Sequence, residues 1–80
     1  MGVCRMTPAQ CRAARGLLKW NQDELAAAAE VSEVTVRNFE NERSSPQRAT
    51  LAMMRQALEA AGVIFVEENG DGPGVRLRKR

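Results

Sequence analysis

The chain has 80 residues, 12 Lys and Arg against 10 Asp and Glu, a net charge of +2, no His, no Tyr, two Cys and one Trp. A chain this short forms one domain and buries only about 60% of its unfolded surface, so its core is small and a partner subunit would help it. Without His the commonest general base and metal ligand is missing, two Cys cannot complete a four-ligand zinc site, and little length remains for a walled cleft, so the counts argue against an enzyme, a metal and a cofactor.

Cys4 and Cys11 stand near the start, seven residues apart, which is not the close spacing of a redox or zinc pair. They read as free thiols beside the first helix in a reducing cytoplasm, with a disulfide or redox sensor as the alternative. Met1 to Met6 lacks the apolar core of a signal peptide. No run approaches about 18 apolar residues, so no membrane span is expected and the expected location is cytoplasmic. Thr7-Pro8-Ala9-Gln10 is a helix start: Thr7 caps, Pro8 suits the first helical position and Gln10 completes a capping box. Ala13, Ala14, Leu17 and Leu18 form its apolar stripe, and the helix is expected to end near Lys19. Trp20 reads as an anchor at the core edge.

Asn21 and Glu24 form a second capping box, and Asp23 and Glu24 suit the positive end of that helix. Four consecutive Ala make the segment Glu24–Glu30 a strong helix former with a thin face. Ser32 is a third cap. Val36 and Phe39, three apart, enter the core of a short helix from about Glu33 to Asn41, while Val34, Thr35, Arg37 and Asn38 fall off that face. Arg43-Ser44-Ser45-Pro46 is a loop, and a longer helix runs from about Gln47 or Arg48 to Ala61. Leu51, Met54, Leu58 and Ala61 form its stripe, and Gly62 stops it. The expected core is Leu17, Leu25, Val36, Phe39, Leu51, Met54 and Leu58. Val63–Val66 then reads as a strand, residues 69–74 as a turn, and Val75–Arg78 as a second strand, the two pairing as an antiparallel hairpin.

The second and third helices are separated by very few residues around Glu30, Val31 and Ser32, so they must cross steeply, and the Ala-rich face permits close contact. That is helix-turn-helix geometry. Residues 21–42 resemble the helix-turn-helix of the Cro/repressor (XRE) family of transcription regulators. The family pattern is roughly Ser/Asn-Gln-x-x-Leu-Ala-x-x-x-Gly-Val-Ser-x-x-x-Ile-x-x-Trp/Leu/Phe-Glu-x-Gly. Asn21, Gln22, Leu25, Ala26, Val31, Ser32, Val36, Phe39 and Glu40 fall on matching positions. With the flanking helices the resemblance covers about residues 7–62. It implies a mainly α fold, a compact four-helix lambda-repressor-like DNA-binding domain, here with a C-terminal β-hairpin. Glu30 and Glu42 stand where the family often has Gly. A left-handed backbone at Glu30 would cost about 1 kcal/mol.

The resemblance also implies roles on double-stranded DNA. Gln22 would reach a phosphate or support a base contact. Ser32, Glu33, Val34, Thr35, Arg37 and Asn38 occupy the cap and exposed part of the recognition helix. Asn38 suits adenine, Val34 a thymine methyl, Glu33 the cytosine amine and Arg37 a guanine or a phosphate. Arg43, Gln47 and Arg48 lie where backbone phosphates are held. Blander readings stand beside these. Glu33 favours a helix N-terminus in any case, Thr35 can pack or face solvent, and Arg37 can pair with Glu33 or Glu40.

The charge is ordered along the chain: bases alone to residue 22, acids alone over 23–33, four Arg against Glu40 and Glu42 over 34–58, acids over 59–74 and bases at 75–80. Most of the cations are Arg, the better bidentate reader of phosphate and guanine. The basic tail, residues 76–80, either touches DNA backbone or solubilises the strand end. In Val63, Ile64, Phe65 and Val66 both faces of the strand are apolar. One face can cover the helices and the other needs a second cover, so these four are the expected dimerisation residues of a homodimer with a joint sheet. A hairpin that only closes its own monomer is the alternative. The expected organisation is a single domain over 1–80, with residues 7–62 binding DNA and 63–80 forming the hairpin. The expected function is a sequence-specific DNA-binding transcriptional regulator. An antitoxin or adaptor that chiefly binds another protein is the second expectation.

Overall fold

The computed structural model describes residues 6–66, 70 and 72–78. Cys4, Lys79, Arg80, Asn69 and Asp71, and the readings placed on them, lie outside those residues.

Thr7 starts helix α1 (Pro8–Leu18) with the expected reciprocal capping box: its hydroxyl accepts from the Gln10 amide and the Gln10 side chain accepts from the Thr7 amide, both at 3.0 Å. Asn21 and Glu24 start α2 (Gln22–Ala29) in the same way, at 2.8 Å each. Ser32 caps α3 (Glu33–Glu40) by accepting from the Thr35 amide. Helix α4 (Arg48–Ala60) follows the loop, and Gln47 at its N-cap makes no side-chain capping bond. Gly62, at φ 112°, turns the chain into strand β1 (Val63–Val66). Strand β2 (Gly74–Leu77) begins one residue earlier than its sequence pattern indicates. The strands pair antiparallel, Val63 opposite Leu77, Ile64 opposite Arg76, Phe65 opposite Val75 and Val66 opposite Gly74.

Three helices end on left-handed residues that are not glycine: Lys19 (φ 60°), Glu30 (φ 59°) and Glu42 (φ 59°). Each sits in a Schellman-type closure. The next amide bonds back across the last turn, Trp20 to the Arg15 carbonyl, Val31 to Ala26 and Arg43 to Asn38. The left-handed turn expected at Glu30 is present, and Glu42 repeats it.

The core joins Met6, Cys11, Ala14, Leu25, Ala26, Ala29, Val36, Phe39, Met54, Leu58 and Val63. Leu18, Trp20, Val31, Leu51, Ala57, Phe65 and Val75 pack around it. Leu17 does not belong: it is 38% exposed, and Ala13 is exposed too. The buried face of α1 runs through Cys11, Ala14 and Leu18, a 3–4 spacing that leaves Leu17 and Ala13 off its axis. Of the expected stripe, Ala14 and Leu18 lie on the buried face, whereas Cys11 takes the place of Ala13 and Leu17. The hairpin lies against α1 and α4 and closes the lower core with Val63. Gln10 fastens it, donating to the Gly74 carbonyl at 3.1 Å.

Candidate nucleic-acid interface

Helix α3 is amphipathic in a way that separates holding from reaching. Val36, Phe39 and Glu40 face inward and are buried. Glu33, Val34 and Arg37 face outward, and Thr35 and Asn38 are half-buried between the two sides. Val34 is 53% exposed, an apolar side chain left outside the core. The Ser32 and Thr35 hydroxyls hydrogen-bond each other at 2.8 Å, so both are oriented at the start of the helix. Glu33 and Arg37 form an ion pair at 2.9 Å across one helical turn. Arg43, Gln47 and Arg48 are all exposed in the loop and at the start of α4.

What holds α3 in place is Glu40, a carboxylate only 2% exposed. It accepts two hydrogen bonds from the Arg15 fork, Nε at 2.6 Å and Nη2 at 2.7 Å. Gln22 Nε2 donates to it at 3.0 Å and the Cys11 thiol at 3.1 Å. Arg15 also donates to the Trp20 carbonyl, and Arg12 donates to the Glu40 carbonyl. One carboxylate thus ties α1, α2 and α3 together. Burial pushes the Glu40 carboxyl up, but the hydrogen bonds from Arg15, Gln22 and Cys11 and the Arg15 charge outweigh it, so the group titrates below its ordinary range. The hydrogen bonds from Arg15 to Glu40 hold the guanidinium firmly in its charged form. Burial and the bond to Glu40 push the Cys11 thiol up, so it stays protonated and acts as a donor. Among the described residues, no buried side-chain nitrogen or oxygen lacks a partner.

Sequence reasoning placed Gln22 among the phosphate contacts and missed its bond to Glu40. For Glu40 it offered a motif position and, as one alternative, a pairing with Arg37, not the bonds that tie three helices together. The signal was present: Glu40 lies four residues after Val36 and next to Phe39, on the core face, where an acid demands a buried cation. Of the two alternatives for Arg37, pairing with Glu33 occurs and pairing with Glu40 does not, since the Glu40 carboxylate faces Arg15.

The described geometry is a pair of short helices, α2 and α3, closed by a left-handed turn and buttressed from behind by α1 and α4. A helix-turn-helix family model matches residues 12–61, which is more than half of the chain. The chain belongs to the Cro/XRE-type helix-turn-helix family. It is a DNA-binding helix-turn-helix regulator of mainly α fold with a small C-terminal hairpin. No curated protein matches the chain. The family match spans all of α2, α3 and α4 and most of α1, so the hairpin is what this helix-turn-helix protein adds beyond the match. Among the described residues, no helix is long and apolar enough to cross a membrane.

The four hairpin residues expected to pair copies divide between two faces. Val63 is 1% exposed inside the monomer core, and Phe65 packs against that core with the Arg55 guanidinium 4.6 Å from its ring centre. Ile64 and Val66 lie on the opposite face, opposite Arg76 and Gly74.

Proposed function

We propose that this regulator reads a specific DNA sequence by laying α3 in the major groove, and that it does so as a homodimer. The observation that carries the reading is the two-sided α3. Its inner side is locked by Val36, Phe39 and Glu40, while Glu33, Val34 and Arg37 are presented to solvent with Thr35 and Asn38 beside them. A helix held so firmly behind and so polar in front is suited to base edges, where Val34 meets a thymine methyl and Asn38 an adenine. Arg43, Gln47 and Arg48 flank it and suit the phosphates on either side. Gln22 opens α2 with one amide hydrogen committed to Glu40 and a second available for a phosphate oxygen. Ser32 supports the helix start that faces the groove.

The dimer reading rests on the hairpin. Its outer face carries Ile64 and Val66, and the sheet has two strands only, among the described residues. A second copy covering that face would bring two α3 helices into one particle, as reading two half-sites about 34 Å apart requires.

A mobility shift on the DNA upstream of the chain's own gene tests the reading. Wild-type protein retards that DNA, and log affinity falls linearly with log salt, by about 0.9 for each phosphate contacted. Arg37→Ala and Asn38→Ala lose preference for that duplex over random DNA. Equal preference in both variants and wild type would remove α3 from the reading role.

A further inference from the structure

The Glu33–Arg37 pair stands at the tip of α3, on the face turned away from the core. Glu33 is the first residue of the helix, and recognition helices touch base edges with their N-terminal residues. The pair is closed at 2.9 Å, and each side chain keeps 45% of its surface exposed. An exposed pair of this kind is weak, so it yields to a better partner. An acid at this position works against binding, because it faces a dense row of phosphates. Helix capping does not require it here, since Ser32 already caps α3.

One base pair suits both charges together. In the major groove, guanine displays two acceptors, O6 and N7, and its cytosine displays one donor, the N4 amine. A guanidinium has five donors and can keep one on Glu33 while giving two to guanine. A glutamate oxygen is then left for the cytosine amine. We propose that Glu33 and Arg37 act as one reading unit for a G·C pair, with Glu33 as the positioning residue that aims Arg37 at guanine and bars it from settling on a phosphate. The inference rests on α3 being the reading helix. Its own content is that the acid, which costs affinity, supplies selectivity.

The test uses duplexes selected from a randomised library by the full wild-type chain, with random-sequence duplex as the reference. In Glu33→Gln, random duplex binds more tightly while preference at one G·C position falls by about tenfold, within what a bidentate Arg–guanine contact contributes, because Arg37 is no longer aimed at it. Arg37→Lys keeps the charge and the affinity for random duplex but loses preference at the same position. Circular dichroism melts of both variants stay close to wild type, since the pair contributes little to folding. If Glu33→Gln strengthens all duplexes equally, or leaves the preference at every position unchanged, Glu33 is only a repulsive or helix-favouring charge and the inference fails. If wild type itself selects no sequence, the reading role of α3 fails, and that result is distinct from the first.

Discussion

Glu40 shows how much one residue can decide in so small a core. Its oxygens accept from Arg15, Gln22 and Cys11, so its loss would leave Arg15, whose side chain is 18% exposed, without a counter-charge. Breaking a pair this buried costs about 3 kcal/mol, a large part of a small domain's stability. The pH dependence follows from the direction of its titration. The folded carboxyl lies below its ordinary value of 4.5, so the fold binds that proton less readily than the unfolded chain. The stabilising contribution is therefore complete above about pH 4.5 and is lost as pH falls through the folded value. Urea midpoints should stay level from neutral pH to about pH 5 and then drop. Glu40→Gln should begin lower at neutral pH and lose much of that acid drop. A variant that falls as steeply as wild type would show that other groups control the acid limb. Little of this was legible in the sequence, because a pattern of apolar residues cannot show which acid and which Arg meet across two helices. Leu17 failed for a related reason. A large apolar residue attracts notice, whereas Cys11, buried completely on α1 together with Ala14, counts as small and neutral.

The elements were far more legible, because their ends are written in local chemistry. Thr7, Asn21 and Ser32 each cap the helix they were expected to cap. Val36 and Phe39 fall three apart and both reach the core. The strand period of Val63–Val66 survives intact. The helix ends carry a cost that the caps do not reveal. Lys19, Glu30 and Glu42 all hold a left-handed backbone that costs an L residue with a side chain about 1 kcal/mol each. Glycine removes that cost but gives back about half of it as extra freedom in the unfolded chain. The triple variant Lys19→Gly, Glu30→Gly, Glu42→Gly should gain about 1 to 2 kcal/mol by urea denaturation, because the three turns lie in separate places and their effects add. Glu42→Val alone should lose at least about 1 kcal/mol, since a β-branched residue fits that backbone worst. A triple variant less stable than wild type would mean that Lys19, Glu30 and Glu42 make compensating contacts. The sequence pointed to Glu30 through the family's usual Gly, and Glu42 stands at a second such position.

At the scale of the molecule, the hairpin raises the question that the helices leave open. A helix-turn-helix unit already has its core in α1 to α4, and the hairpin contributes Val63 to it from below. Having closed that core, β1 still carries Ile64 and Val66 on its other face, with Arg76 across from Ile64. Both apolar side chains are half-buried, and no third strand covers them among the described residues, which is what supports the proposed association through this face. Two copies related by a two-fold axis would cover it with one repeated contact and orient their α3 helices the same way toward DNA. The faces also dictate which substitutions test this. Phe65 cannot be used, because it packs on its own core beneath Arg55 and its loss would damage the monomer. Ile64→Lys with Val66→Lys alters the half-buried outer face and leaves in place Val63, Phe65 and Val75, which pack on the core. Wild type should sediment at twice the chain mass and the double variant at the chain mass, with equal helical circular dichroism. The variant should also bind a two-half-site duplex more weakly than wild type, yet bind a single half-site equally well. If wild type sediments as a monomer across the concentration range, the hairpin serves only its own core, and α3 must reach DNA one copy at a time.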